Sequence, residues 1–552
     1  MEKDYSILIG GKAGQGSRRA GSLIAELFHK LGYFVYVYED YQSLIRGGHN
    51  FSQIRISQRE IQVRKEKNNF ILALDENTIS LHQKSLEKGG VLIFNKDRVK
   101  NQKGRGVFAE KIVKEEGGLP IMANIALISA FAKMCQIEWE ILEKVLKEKL
   151  KREIELNLKI AKRAYDIEKP IFKIEKIKKK KKTILLTGNE AVAIGAVKAG
   201  LNFYFAYPMT PSTSILNFLA KNEKKFGVKV IQPEDEISVI NMALGAAFSG
   251  KRTACGTSGG GFALMTEGLS LAGETETPIL IFESQRGSPS TGVPTYNCQG
   301  DLNFVIGAGH GDVIRFVIAP GDANEALFYS GLGLNLAWQY QTPVILLLDK
   351  DISENTFTVE ENILNKIKPK KPLLWKGDKE YKRYKITKSG ISPLAFPGTK
   401  NIVVKSNSYE HTEDGITTEK AKEIERMQQK RKRKFEEMKK AVEKLPAIKV
   451  YGKKNSKIAL VSFGISKGPT RELAEKKGFK FVQPIILEPF PEKQMENALK
   501  GVKKIFTVEM NSLGQLAKIL NCHQIKVDGK ILKYNGRPFF VSEIEEKLKK
   551  FL

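Results

Sequence analysis

The nine residues Phe205–Thr213, FAYPMTPST, set one hydroxyl between two prolines at the end of a β-type run, Phe203 to Tyr207. Each proline pushes the residue before it out of the helical region, so Thr210 is expected to be held extended at a strand end. Ser212 then opens an amphipathic helix carrying Ile215, Leu216, Phe218 and Leu219. A hydroxyl followed by Pro and Ser just ahead of a helix gathers free backbone N–H groups at one spot, which suits an anion. An ordinary strand-to-helix turn is the alternative.

Three further stretches carry residues able to do chemistry. The acids Glu234, Asp235 and Glu236 stand in front of an almost wholly apolar helix, Ile237 to Phe248. The helix dipole stabilises a carboxylate placed there, although an N-cap with first-turn acids has the same appearance. The run Thr257 to Gly261, TSGGG, is a loop of backbone N–H groups at a helix start. Arg286 follows the strand-like ILIFESQ and precedes the rigid loop GSPSTGVPT. A guanidinium at a strand's end beside such a loop is placed to grip a carboxylate with its fork, with an ion pair to a neighbour such as Asp301 as the structural alternative. Near the start, GKAGQGS at 11–17 places Gly14 and Gly16 between a strand and a helix. Its glycines do not fit GxGxxG and it lacks the Lys of a Walker A sequence, so it is a backbone cradle for some phosphate or simply a tight turn. Arg46, ahead of Gly47 and Gly48, puts a cation at an exposed turn.

The elements that must position these residues alternate strand and helix along nearly the whole chain. At 552 residues the length suits about three to four domains. A first α/β domain spans 1–172, with strands near 5–10, 34–40, 71–79 and 89–97 and helices near 18–31, 121–135 and 138–166. Its strand–glycine loop–helix–strand opening is that of a doubly wound unit. A lysine-rich linker, 173–182, is expected to be solvated. A second α/β domain starts at Thr183 and extends to 375, with a small-residue helix (Ala191, Ala193, Gly195, Ala196, Ala199) suited to close approach. Residues 376–454 form a connecting segment that contains a long charged helix, Lys420 to Leu445. That helix has an apolar stripe of Ile424, Met427, Phe435, Met438, Val442 and Leu445. A third α/β domain covers 455–552.

Composition excludes several classes. No apolar run reaches the about 20 residues of a bilayer-spanning helix, so no membrane is expected. MEKDYSILIG does not read as a signal peptide. Cys135, Cys255, Cys298 and Cys522 have no paired spacing, which leaves neither a disulfide framework nor a CxxC metal or cluster site, and a cytoplasmic chain is the expectation. The six histidines form no HxxxH or HxH pair, so no protein-held metal is expected. The net charge of +29 raises a basic nucleic-acid-binding protein as an alternative. The excess is mostly lysine on linkers and helix faces, without interleaved aromatics, so no nucleic acid is expected.

Taken together, YPMTPST (207–213), PEDE (233–236), TSGGGFALMTEGL (257–269) and QRGSPSTGVPT (285–295) resemble the α subunit of 2-oxoacid:ferredoxin oxidoreductases, which use thiamine diphosphate. GKAGQG, YQSLIRGGHN and QIRIS, within 11–57, resemble the γ subunit of the same enzymes. EHTEDG (410–415), VEMNSLGQL (508–516) and NGRPFF (535–540) fit as well. The chain is therefore identified as a member of this family in its γ–α fused form. One departure is GGG at 259–261, where the family has Gly-Pro-Gly; it bears on the stiffness of that loop.

The resemblance implies an α/β architecture of three doubly wound domains: γ-like, pyrimidine-binding for thiamine diphosphate, and transketolase C-terminal-like. It implies that Glu236 hydrogen-bonds the cofactor's aminopyrimidine, with Glu234 close enough to compete for the role. Thr210 would contact substrate and cofactor, and Arg286 the substrate carboxylate. Tyr207, Pro208, Pro211, Ser258 and Gly259 would line the cofactor, and Gly14, Gly16 and Arg46 a coenzyme A side. The GDG half of a thiamine site and the cluster cysteines are missing from this sequence. In the family both belong to a separate β subunit, which would hold Mg2+ and a [4Fe-4S] cluster and complete the active site. A different thiamine-dependent carboligase or ketolase would need that GDG half in this same chain. The implied reaction is oxidative decarboxylation of a 2-oxoacid to acyl-CoA and CO2, with ferredoxin reduced. 2-Oxoglutarate or a broad range is the leaning, with pyruvate and branched acids open, as are αβ and (αβ)2 assemblies.

Overall fold

The computed structural model describes residues 3–43, 48–178, 181–377 and 380–552. The chain divides into two compact units, 1–186 with 355–360, and 187–354 with 361–552.

The first unit is built on an eight-stranded sheet in the order Arg105–Val107, Leu86–Asn95, Asn68–Ala73, Asp4–Lys12, His49–Ser57, Phe34–Asp40, Thr356–Glu360, Thr183–Thr187. Asp4–Lys12 and Phe34–Asp40 are not neighbours, as a simple doubly wound opening would have them. His49–Ser57 lies between them, antiparallel to both, in the register Ile7↔Ile54 and Val37↔Ile54. Its alternation explains the insertion: Ile54 and Ile56 enter the core while Gln53 and Arg55 find buried polar partners in Asn68 and Asp4. The helix predicted over 138–166 is two helices, Trp139–Lys149 and Ile154–Ile167.

The strand Thr183–Thr187, expected to open the second domain, belongs to the first unit's sheet. The segment ahead of it is not simply a solvated linker. Ile174 is buried, Ile177 N donates to Leu31 O at 2.7 Å, and the Tyr33 hydroxyl donates to Glu175 O. Isoleucines spaced between the lysines (Ile174, Ile177) give this run an apolar side that charge counting hides.

The second unit holds two sheets. Seven strands run Ile486–Glu488, Phe316–Ile318, Pro343–Asp349, Ile279–Gln285, Thr253–Thr257, Phe203–Phe205, Lys229–Ile231. All neighbours are parallel except the first pair. The central strands are apolar on both faces, as a helix-covered parallel sheet requires. The helices Gly188–Lys198 and Ala323–Tyr340 cross so closely that a Cβ on Gly195 would collide with Leu327 O and Ser330 Oγ, which accounts for the small residues there.

The second sheet, of five strands, follows the order Ile448–Gly452, Lys480–Pro484, Ile458–Val461, Lys504–Glu509, Gly529–Leu532. Buried polar contacts tie it to the larger sheet. Lys467 pairs with Asp322 and Glu325, Lys449 reaches Glu325 Oε1 at 2.9 Å, and Gln483 Nε2 donates to Glu325 Oε2 at 2.7 Å. Gln299 is a second tie: its backbone N–H donates to Met510 O at 2.8 Å, its side-chain oxygen accepts from Met510 N at 2.9 Å, and its Nε2 donates to Phe463 O at 2.8 Å.

The long charged helix spans Ala421–Val442, and its buried face is not the predicted apolar stripe. Met427, Met438 and Val442 are buried, but Lys430 and Lys434 take the places between them, both paired with the buried Glu276. Burial alone would raise the Glu276 carboxyl; Lys430, Lys434 and Arg383 together outweigh it and hold the group far below the usual carboxylate range.

Removing one member of a buried ion cluster leaves the others uncompensated. Lys467→Met is expected to destabilise the second unit by about 3–5 kcal/mol, read as a lower urea midpoint of the purified chain. The triple variant that also carries Asp322→Asn and Glu325→Gln is expected to recover much of the loss.

Candidate active site

The strands Phe203–Phe205, Thr253–Thr257 and Ile279–Gln285 end side by side, and the segments leaving their C-terminal ends carry the residues singled out from sequence. In a parallel α/β sheet this is the edge at which ligands bind. A cleft of about 1090 Å³ lies there, edged by Met209, Gly259, Gly260, Arg286, Cys298 and Asp301. Asn511, Gly536 and Arg537 close it from the final α/β segment, which places the terminal NGRPFF run at the same cleft.

The three acids ahead of the helix Glu236–Phe248 separate by environment. Glu234 is exposed and accepts from Ser238 Oγ at 2.6 Å, which lowers its pKa. Asp235 is the N-cap, its Oδ1 accepting from Ser238 N at 2.8 Å. Glu236 is 3% exposed, and its Oε1 is buried with no hydrogen-bond partner among the described residues. Burial pushes the Glu236 carboxyl up, although a backbone hydrogen bond opposes it.

The glycine loop explains how that carboxyl is accommodated. A Cβ on Gly261 would stand 2.5 Å from Glu236 Oε1 and collide with Thr257 Oγ1; a Cβ on Gly259 would stand 2.5 Å from Asp301 Oδ2. Gly260, where the family has proline, faces open space. The departure from Gly-Pro-Gly therefore falls at the one position of the three where a side chain has room.

Arg286 and Thr210 meet directly: Arg286 Nη1 donates to Thr210 O at 2.7 Å. Partial burial lowers the Arg286 pKa, with the charge of Asp301 opposing. Thr257 Oγ1 points at Met209 Sδ, 3.8 Å away, so the loop beside Glu236 also touches the residue before Thr210. The helix after this stretch is Thr213–Lys221, and Ser212 Oγ donates to Met209 O at 2.8 Å rather than capping it.

Tyr207 and Pro208 are exposed, while Pro211 is buried with its carbonyl taking a hydrogen bond from Asn189. Ser258 is buried with an unpartnered Oγ. Gly14 and Gly16 belong to the first unit, where both have positive φ (95° and 77°) at the start of the helix Ser17–Lys30, beside a cavity of about 120 Å³. Arg46, expected with them, lies outside the described residues. Sequence reasoning missed Glu283, buried in the strand Ile279–Gln285, and underused Asp301; a lone acid in the apolar run ILIFESQ was the available signal.

Two family models match this chain. One, described as pyruvate flavodoxin/ferredoxin oxidoreductase, thiamine diP-bdg, covers residues 194–430; the other, pyruvate ferredoxin/flavodoxin oxidoreductase, covers 6–167. The alpha subunit of a 2-oxoacid:ferredoxin oxidoreductase from Sulfolobus sp is 32% identical, over 99% of this chain and 97% of its own. This chain belongs to the 2-oxoacid:ferredoxin oxidoreductase alpha subunits. It is thus a subunit of an oxidoreductase whose electron acceptor is an iron–sulfur protein, and it carries a thiamine diphosphate-binding domain. A second alpha subunit of the family, from Aeropyrum pernix, is 32% identical over 100% of this chain and 98% of its own. A solved 2-oxoglutarate:ferredoxin oxidoreductase from Magnetococcus marinus, with 2-oxoglutarate, coenzyme A and succinyl-CoA bound, is similar over 100% of both chains with a TM-score of 0.90 and 28% identity. No helix among the described residues is long and apolar enough to cross a membrane.

For this alpha subunit the glycine contacts make opposite forecasts at adjacent positions. Gly261→Ala is expected to displace Glu236 and lower 2-oxoacid-dependent dye reduction by the assembled enzyme about 10²-fold. Gly260→Ala is expected to leave activity intact and to stabilise its helix by about 0.5–1 kcal/mol, read as an unchanged or slightly higher thermal midpoint.

Proposed function

We propose that this chain provides the pyrimidine side and the substrate-carboxylate anchor of a thiamine diphosphate site, which a separate beta subunit completes. The observation that carries this is the Oε1 of Glu236, a buried carboxyl oxygen left without a partner behind the glycine loop of the cleft. A native fold rarely leaves such an atom unmatched unless a ligand supplies the match. Its raised pKa suits the same role, because a carboxyl that keeps its proton donates a hydrogen bond to a ring nitrogen. Gly259 and Gly260 leave room for a flat ring at the cleft edge, so the donor set fits the cofactor.

When bound, thiamine diphosphate supplies the carbon nucleophile and electron sink that decarboxylation of a 2-oxoacid requires. This chain's residues orient and hold charge. Glu236 holds a proton at its carboxyl for the cofactor's ring. Arg286 keeps one N–H on Thr210 O and turns the rest of its fork to the substrate carboxylate. Thr210, fixed by that bond, is the neighbour for substrate and cofactor.

The beta subunit would bring the diphosphate and Mg2+ contacts and a [4Fe-4S] cluster, with electrons leaving to ferredoxin and the acyl group to coenzyme A. Large apolar side chains exposed around the site support a docking partner there: Tyr207, Ile237, Met242 and Leu264 are 39%, 50%, 44% and 49% exposed. 2-Oxoglutarate is the first substrate to test, because the Magnetococcus marinus relative holds it, together with coenzyme A. The glycines Gly14 and Gly16, with Arg46, remain our candidates for the coenzyme A side.

The test is anaerobic co-expression with the beta partner and assay of ferredoxin or viologen reduction with several 2-oxoacids and coenzyme A. Glu236→Gln is expected to lower kcat about 10²- to 10⁴-fold with assembly intact, and Glu234→Gln to change it less than about threefold. An assembled wild type without 2-oxoacid-dependent reduction would overturn the function; an active Glu236→Gln would overturn only the role of Glu236.

A further inference from the structure

Under the cleft lies a second buried carboxyl pair that the roles above leave unused. Glu283 sits in the strand Ile279–Gln285, three residues before Arg286, and is 0% exposed. Neither of its carboxyl oxygens receives a hydrogen bond from any donor among the described residues. An ionised carboxylate buried without a donor is not a stable arrangement. The hydrogen bond open to it is one it donates itself, and the acceptor is the carboxylate of Asp301.

Asp301 is held from three directions. Its Oδ2 faces Gly259 at a distance that excludes a Cβ there, its backbone N–H donates to Gln285 Oε1 at 3.0 Å, and its carbonyl accepts from Val305 N at 2.9 Å. It edges the cleft beside Arg286, and each perturbs the other's charge. Two carboxyls and one guanidinium thus occupy one wall, and only one of the carboxyls can be an anion.

We propose that Glu283 and Asp301 act as a one-proton pair that positions Arg286. Glu283 carries the proton and donates it to Asp301, and Asp301 turns the remaining negative charge toward the guanidinium that grips the substrate carboxylate. Both are positioning residues, and the inference rests on the reading that Arg286 binds that carboxylate. Without the pair, the fork is steered only by its bond to Thr210 O. With it, the cation is oriented yet not consumed, because the proton from Glu283 already takes part of the acceptor capacity of Asp301.

The arrangement gives substrate affinity a pH dependence of defined sign. Burial pushes Asp301 up to about 6, against the pull of Arg286 and of the hydrogen bond from Glu283. The other charges facing the pair are Asp349 on the adjacent strand, itself pushed up to about 7 by burial and by Asp351, and the thiol of Cys298, which burial keeps protonated. Below about pH 6 Asp301 is neutral and the charge of Arg286 is free for the substrate. Above it, Asp301 competes. KM for the 2-oxoacid is therefore expected to rise about three- to tenfold from about pH 5 to about pH 7.5, with kcat moving less.

The test uses the enzyme assembled with its beta subunit. Asp301→Asn is expected to abolish the KM step. Glu283→Gln, whose amide still donates to Asp301, is expected to keep it. Glu283→Met, which removes the donor and makes Asp301 easier to protonate, is expected to shift the step to higher pH. Infrared difference spectra of wild type against Glu283→Gln, at about pH 8 where an ordinary carboxyl is ionised, should contain a neutral-carboxyl carbonyl band from Glu283. Absence of that band, or a KM step that survives in Asp301→Asn, would overturn the proposal. Arg286→Ala separates the two levels. If it leaves KM unchanged, the substrate role of Arg286 falls and the positioning role with it, while the infrared band still decides whether the pair holds a proton.

Discussion

A carboxyl group withdrawn from water with one oxygen unmatched is the constraint around which the second unit is arranged. Glu236 can occupy its position only because the helix Glu236–Phe248 begins there, with Asp235 taking the cap and Glu234 turned outward to Ser238. It also needs Gly261 to have no side chain, and Thr257 to close the other flank. Each requirement fixes the end of a different strand, so one buried atom ties together the loops that follow three neighbouring strands. The cost of burying it persists in the free chain and is relieved only when a donor or acceptor arrives.

That wall is rigid because the final α/β segment is clamped to the larger sheet by polar contacts as well as apolar ones. Gln299 uses both ends of its amide and its backbone on Met510 and Phe463, while Lys467 joins Asp322 to Glu325. Buried polar ties of this kind have strict geometry, and they hold the cleft residues Asn511 and Arg537 in register with Arg286.

Much of this was legible in the sequence, for identifiable reasons. The α/β alternation, the proline-bracketed Thr210 and the acids before an apolar helix are local patterns, and the resemblance of four ordered motifs gave Glu236, Thr210 and Arg286 their roles. What escaped depends on contacts distant in sequence. His49–Ser57 reads as a strand from its own residues, but nothing local says that it slips antiparallel between Asp4–Lys12 and Phe34–Asp40. The long helix was assigned an apolar seam because Lys430 and Lys434 read as solvated; their burial follows from Glu276, more than 150 residues earlier. Glu283 was read as part of an apolar strand, since its partner Asp301 lies across a loop.

The strand Thr356–Glu360 has a consequence for how such a gene can be divided. The chain leaves the first unit at residue 186 and comes back for 355–360 to add a strand next to Phe34–Asp40. Cutting the gene in the lysine-rich stretch would yield two polypeptides, one of which lacks two strands of its own sheet. That piece would have to borrow them from its partner, so its folding would become concentration-dependent and its exposed edge a template for unwanted pairing. Fusion in one polypeptide removes this liability by making the borrowed strands a permanent part of the same molecule.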